Sequence, residues 1–213
     1  MPLKTIHDQK TITQTSIAQT TSTEAIDLTG VANISIQSVI DVNTPAAKAF
    51  ATTDVTVAAD TITETAHGYA LGLKGQFSTT TTLPAGLSLT TDYFVIPVDA
   101  NTYSVASSLA LANAGTVVDI TDQGTGTHTF TPTSIAGGTW AVQKTNKTTA
   151  STGLASTADA DWTDYDTATA VSADATNWYE KIGPPYRWLR VRMVMTAGQM
   201  TVNHYVISRG YIN

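Results

Sequence analysis

The chain has 213 residues, a formal net charge of −6, only 13% charged residues and no cysteine. That length buries a substantial core in one large or two small domains. The acidic balance excludes a general affinity for nucleic acid or anionic membrane, and the missing cysteine excludes disulfides, thiolate chemistry and cysteine-ligated metal.

Residues 1–25, opening on MPLKTIHDQK, are polar, rich in Thr and Gln and poor in large apolar groups. They read as a loose arm or as an edge strand awaiting a partner. They hold no apolar run of the signal-peptide kind, so synthesis in a cytoplasm is expected, and no later span is long enough to cross a bilayer. In VANISIQSVIDV (31–42), Ala32, Ile34, Ile36, Ile40 and Val42 share one face while Asn33, Ser35 and Gln37 share the other. That is the period of a half-buried strand. The segment TWAVQKTN alternates in the same way, and QMTVNHYVIS reads as a strand partly covered on both faces. Turn signals such as VDANT, DQGTGT, AGG and TAGQ separate such runs. The abundant Thr suits pleated surfaces. Only SSLALANAG reads as helical, for about two turns.

The expected fold is therefore all-β: an antiparallel β-sandwich, jelly-roll or Ig-like, carrying a small β-rich domain. Residues 50–133 have their own strands, turns and apolar content and are long enough to fold alone. Removing them leaves ISIQSVIDV a short turn from GTWAVQKTN. The expectation is a parent sandwich of residues 1–49 and 134–213 with the small domain inserted in a hairpin loop, a place that tolerates insertions.

Within that segment, DTITETAHGYALG, LPAGLSLTTDYFVIPVDANTYSVASS, LANAGTVVDIT and GTGTHTFTP follow in order over nearly all of residues 50–132. The stretch resembles a small β-module that recurs in structural proteins of tailed bacteriophages. More loosely, the succession GTWAVQKTN, DWTDYD and PPYRWLRVRM resembles a β-sandwich of phage head, fibre and decoration proteins. The resemblance implies a virion component assembled in the host cytoplasm, a homo-oligomer in contact with other virion proteins such as capsid, collar or tail subunits. It implies no chemistry.

Candidate sites follow from residue type and spacing. In PPYRWLRVRM, Trp188, Arg190 and Arg192 share one strand face, and Leu189, Val191 and Met193 the other. No acidic residue follows Glu180, whereas Lys181, Arg187, Arg190, Arg192 and Arg209 do. Trp188, Arg190, Arg192 and Arg209 are accordingly candidates for an interface with an acidic neighbouring subunit. Phosphate or nucleic-acid binding is the lesser reading, because the whole chain is acidic. Asp159, Asp161, Asp164 and Asp166 in DADWTDYD are candidates for a structural Ca²⁺, against the plainer reading of a solvated turn anchored by Trp162 and Tyr165. No other cofactor is expected.

His67 and His128 lie towards the two ends of the inserted segment, too few for a metal site alone, and His204 reads as a hydrogen-bonded, partly buried ring. Asn33 and Asn146 fit the glycosylation sequon but carry no meaning without a secretory signal. No nucleophile elbow, zinc-protease, P-loop or dinucleotide motif occurs, so an enzyme is not expected. Trp140, Trp162, Trp178 and Trp188 all fall outside the inserted segment. They read as core, with an exposed one offering a platform on which a glycan stacks. That makes a receptor- or glycan-binding module of a tail or fibre the second functional reading.

Overall fold

The computed structural model describes residues 4–134, 138–149, 155, 157–195 and 197–212, without the side chains of residues 4–8, 15–17, 211 and 212. It is all-β, with antiparallel strands in three sheets. The first sheet has four strands: β1 (Lys4–Ile17), β17 (Met200–Ile212), β4 (Val31–Val42) and β15 (Ala175–Ile182), in that spatial order. The second sheet is built around β12 (Gly138–Thr145) and β16 (Trp188–Met195). Short strands complete it: β13 (Thr163–Asp164) and β14 (Thr169–Val171) beside β12, and β2 (Thr21–Ser22) and β3 (Ile26–Asp27) beside β16.

These two sheets form the sandwich. Ile34, Ile36 and Ile40 of β4 and Met200, Val202 and Val206 of β17 meet Trp140 and Val142 of β12 and Leu189, Val191 and Met193 of β16. Period-two alternation selects these side chains: β4 runs buried at Ile34, Ile36, Ser38 and Ile40 and half-exposed between them. One polar chain crosses this core. Trp140 Nε1 donates to Ser38 Oγ at 2.8 Å, and Ser38 Oγ lies 2.7 Å from His204 Nδ1.

The third sheet has seven strands, all drawn from residues 48–132. They are β5 (Lys48–Ala51), β6 (Val55–Thr56), β7 (Thr61–Thr63), β8 (Lys74–Thr79), β9 (Tyr93–Pro97), β10 (Thr102–Ala106) and β11 (Thr127–Pro132). Their spatial order is β5-β11-β8-β9-β10-β7-β6. The core here is aromatic, with Phe50, Tyr69, Phe77, Tyr93, Tyr103 and Phe130 packed mostly edge-on or tilted at 5.0–6.1 Å between centroids. Gly75 in β8 is required by that packing, because a side chain there would collide with the Phe130 ring. The expected helix is present as α1 (Leu109–Asn113), shorter than two full turns and capped by the Ser108 side chain on Leu111 N.

Two expectations change. The hairpin joining β4 to β12 does not exist: β4 is flanked by β17 and β15, and β12 lies in the opposite sheet beside β16. Both edges of β4 are filled by strands from the end of the chain, so residues 43–137 join one layer of the sandwich to the other. Of the two readings of the polar N-terminal segment, the loose arm is the one that fails: residues 4–17 are an edge strand whose inner side has a partner within the chain. β1 pairs with β17 from Lys4↔Ile212 to Ile17↔Met200, with an irregularity after Gln14.

Candidate functional site

β16 keeps its expected parity, but its second face is covered. Trp188 is 5% exposed and Arg190 6%, against the expected outward-facing guanidinium strand. The cover comes from Ala155, Asp159 and Trp162. Ala155, Trp162 and Trp188 form a small core of their own, and the Arg190 guanidinium lies 4.6 Å from the Trp162 ring centroid. Arg190 Nε donates to Gln143 Oε1 at 2.8 Å, and Nη2 donates to Asp159 Oδ1 at 2.7 Å. Arg192 Nη2 lies 3.6 Å from Asp159 Oδ2. The acidic partner of this arginine pair is thus Asp159 of the same chain. Its hydrogen bond from Arg190 holds the Asp159 carboxyl below the usual carboxylate range.

The other aspartates of that segment are spread out. Asp161 pairs with Lys147, Asp164 accepts from Gln143 Nε2 at 2.8 Å, and Asp166 lies exposed beyond Tyr165. Among the described residues no three His, Cys, Asp or Glu side chains converge as a metal site. Asp159 and Asp161 are instead bonded to cations of the protein, which compete for the oxygens that Ca²⁺ needs. Trp162 is buried and Tyr165 half-buried, as anchors of this segment.

The histidines are engaged as well. His67 Nε2 lies 2.9 Å from Asp99 O and its Nδ1 accepts from Tyr69 N. His128 contacts Thr79 Oγ1 and Gln123 O through its two nitrogens. His204 is fully buried between Ser38 Oγ and Gln14 Oε1, at 2.7 and 2.9 Å, and burial pushes its pKa down to about 4. Directly after β7, Glu64 is 5% exposed and accepts from Tyr69 and Tyr103, both at 2.9 Å. Burial raises its pKa despite those donors.

What remains open is the outer face of the four-stranded sheet. Of the four tryptophans three are buried, whereas Trp178 on β15 is 63% exposed. Ile182, four residues on along the same face, is 81% exposed. Trp178 stands opposite Gln37 of β4, which stands opposite Tyr205 of β17. Beside this row lies a groove of about 350 Å³ between Trp178 and Ile182 on one side and Ile207 and Arg209 on the other, with Asn33 and Ser35 between them. Arg209 of the expected interface set therefore sits on an open face, away from Arg190. Trp178 was not separable from the other three by residue type. The available signal was parity, since Glu180 and Thr176 share its strand face and a carboxylate favours the wet side.

No protein-family model matches the chain, and no curated protein matches it. Among solved structures, one chain of the complex of VP16 and VP17, the two major capsid proteins of bacteriophage P23-77, superposes with a TM-score of 0.25. The two are 8% identical over 95% of this chain and 99% of that one. A likeness at that level carries no inference about what this chain does.

Proposed function

We propose that the protein is a non-enzymatic structural component of a tailed-phage particle, a head decoration, collar or fibre-attachment subunit that works by packing against other virion proteins. The observation that carries this reading is the pair of open edges of one sheet. β1 and β15 are terminal strands, and among the described residues neither has a strand on its outer side. They are 14 and 8 residues long. Rows of unpaired backbone donors and acceptors of that length are templates for another chain, which a particle component uses and a solitary protein must guard. The low charge density supports the same reading, since charged groups are costly to desolvate in a repeated contact. So does the resemblance of residues 50–132 to a module of tailed-phage structural proteins.

The internal use of the ionisable groups supports a role without catalysis. Arg190, Asp159, His204 and Glu64 are each committed to packing or hydrogen bonds inside the fold. Quantitative mass spectrometry of salt-washed particles from the encoding phage tests the proposal. The chain is expected at a fixed ratio to the major capsid protein, and its absence from the particle would sink the idea.

A further inference from the structure

We infer that the groove beside Trp178 is a binding site for a neutral, linear oligosaccharide. A sugar ring is amphipathic, with an apolar face of C–H bonds and a rim of hydroxyl groups, and it needs a surface with both characters. The groove supplies both. Trp178 offers an indole face exposed to 63%, and Ile182 and Ile207 add apolar walls. Asn33 and Ser35 lie between those walls, with Glu180 beside Trp178 on β15. Amide, hydroxyl and carboxylate groups match a hydroxyl rim, which both donates and accepts. The volume of about 350 Å³ is at the small end of ligand-sized clefts. It suits one or two sugar rings of a longer chain rather than an enclosed small molecule.

Charge decides which saccharide. Glu180 and Arg209 both line the groove, so both signs are present within one small site, whereas the Lys181 ammonium lies 4.6 Å from the Tyr165 ring centroid on the other face of β15. An anionic polymer would meet the Glu180 carboxylate, and a cationic one the Arg209 guanidinium. A neutral chain meets neither penalty, and its hydroxyls can donate charge-assisted hydrogen bonds to the Glu180 carboxylate. The site lies on a sheet face, whereas lateral contacts through β1 and β15 extend the sheet in its plane. Both uses are therefore compatible in one assembled particle.

The experiment uses the full chain and its own fluorescence. Trp140, Trp162 and Trp188 are 5–6% exposed, so a saccharide in the groove perturbs chiefly the Trp178 emission. Cellohexaose, mannohexaose and maltohexaose are titrated separately, with polysialic acid as the anionic comparison and calorimetry as the second readout. At least one neutral hexaose is expected to bind with a Kd of about 1 mM or tighter, and polysialic acid more weakly. Trp178→Ala is expected to weaken binding about tenfold or more, Trp178→Phe less, and Tyr205→Ala, on the same face but outside the groove, little. Unchanged thermal melts of the variants separate lost binding from lost folding. The inference is overturned if no neutral hexaose binds, if Trp178→Ala binds as well as the parent, or if polysialic acid binds best. Concentration-dependent self-association that Trp178→Ala abolishes would also overturn it, by making the face a protein contact. None of these results bears on whether the chain is found in particles.

Discussion

At the scale of single residues, the interior holds two ionisable groups whose titrations oppose each other. His204 has no exposed surface, and its hydrogen bonds assign a neutral ring: Ser38 donates to Nδ1, and Nε2–H donates to Gln14. Burial lowers its pKa from 6.5 to about 4. The unfolded chain therefore takes up this proton first as pH falls. The stability that His204 contributes is complete above about pH 6.5 and is lost on descent towards pH 4, a change of roughly 3 kcal/mol for an isolated group. Glu64 has the opposite sign. Its pKa is raised above 4.5 by burial, so its contribution is greatest in acid and shrinks as pH rises through and beyond that value. The difference between parent and variant isolates each group. In urea melts at pH 7 and pH 4.5, His204→Gln is expected to lose much of the parent's acid sensitivity, and equal pH dependence would refute the assignment. Tyr103→Phe removes one of the two donors to the buried Glu64 carboxylate and is expected to cost about 1–3 kcal/mol at pH 7. The deficit should narrow in acid, where the carboxyl is protonated and needs the donor less.

At the scale of elements, strand faces were readable from the chain and strand partners were not. The parities of β4 and β16 follow from alternation alone, and Ile34, Ile36, Ile40, Leu189, Val191 and Met193 are buried together as that alternation predicts. Alternation says which side of a strand is apolar but nothing about which strand lies beside it. The hairpin expected between β4 and β12 failed for that reason. The covered face of β16 is a second case. Its Arg190 looked solvent-bound by type, and the Trp162 that covers it lies 28 positions earlier in the chain, beyond the reach of any local pattern. This geometry makes the pair asymmetric. Asp159 is 62% exposed at its side chain, yet it is a partner of a guanidinium only 8% exposed. Asp159→Ala is expected to cost about 1–3 kcal/mol, because it leaves a buried donor unsatisfied. Asp166→Ala, a neighbouring exposed aspartate, should stay within about 0.5 kcal/mol. Chemical denaturation of both variants checks the contrast, and equal small effects would mean that Asp159 does not hold the segment down.

At the scale of the whole molecule, residues 48–132 pair their strands only with one another and bury a separate aromatic core. The turns and apolar content that single out this segment were visible in the chain, whereas its attachment was not, because a glutamine in a turn signal reads as solvated. Gln199, 2% exposed in the turn before β17, is a central part of that attachment. Its Oε1 accepts from Ala70 N at 2.8 Å and its Nε2 donates to Gly68 O at 3.0 Å. Its own backbone is fixed by Thr44 and Asn43, where the chain leaves the sandwich. One side chain thus satisfies two backbone groups of the seven-stranded unit from a position rooted in the other. Ala18 adds an apolar contact and Asn113 donates to Gln19 at 3.0 Å. Gln199→Ala removes both amide bonds while leaving each hydrophobic core whole. The cores should then lose their coupling before they lose their stability. Calorimetry is expected to resolve two transitions in the variant where the parent shows one. Limited proteolysis should cut first near residues 43–47 or at 133 and 134, where the chain passes between the units. A single transition merely shifted to lower temperature would mean that the units are held together by more than this joint.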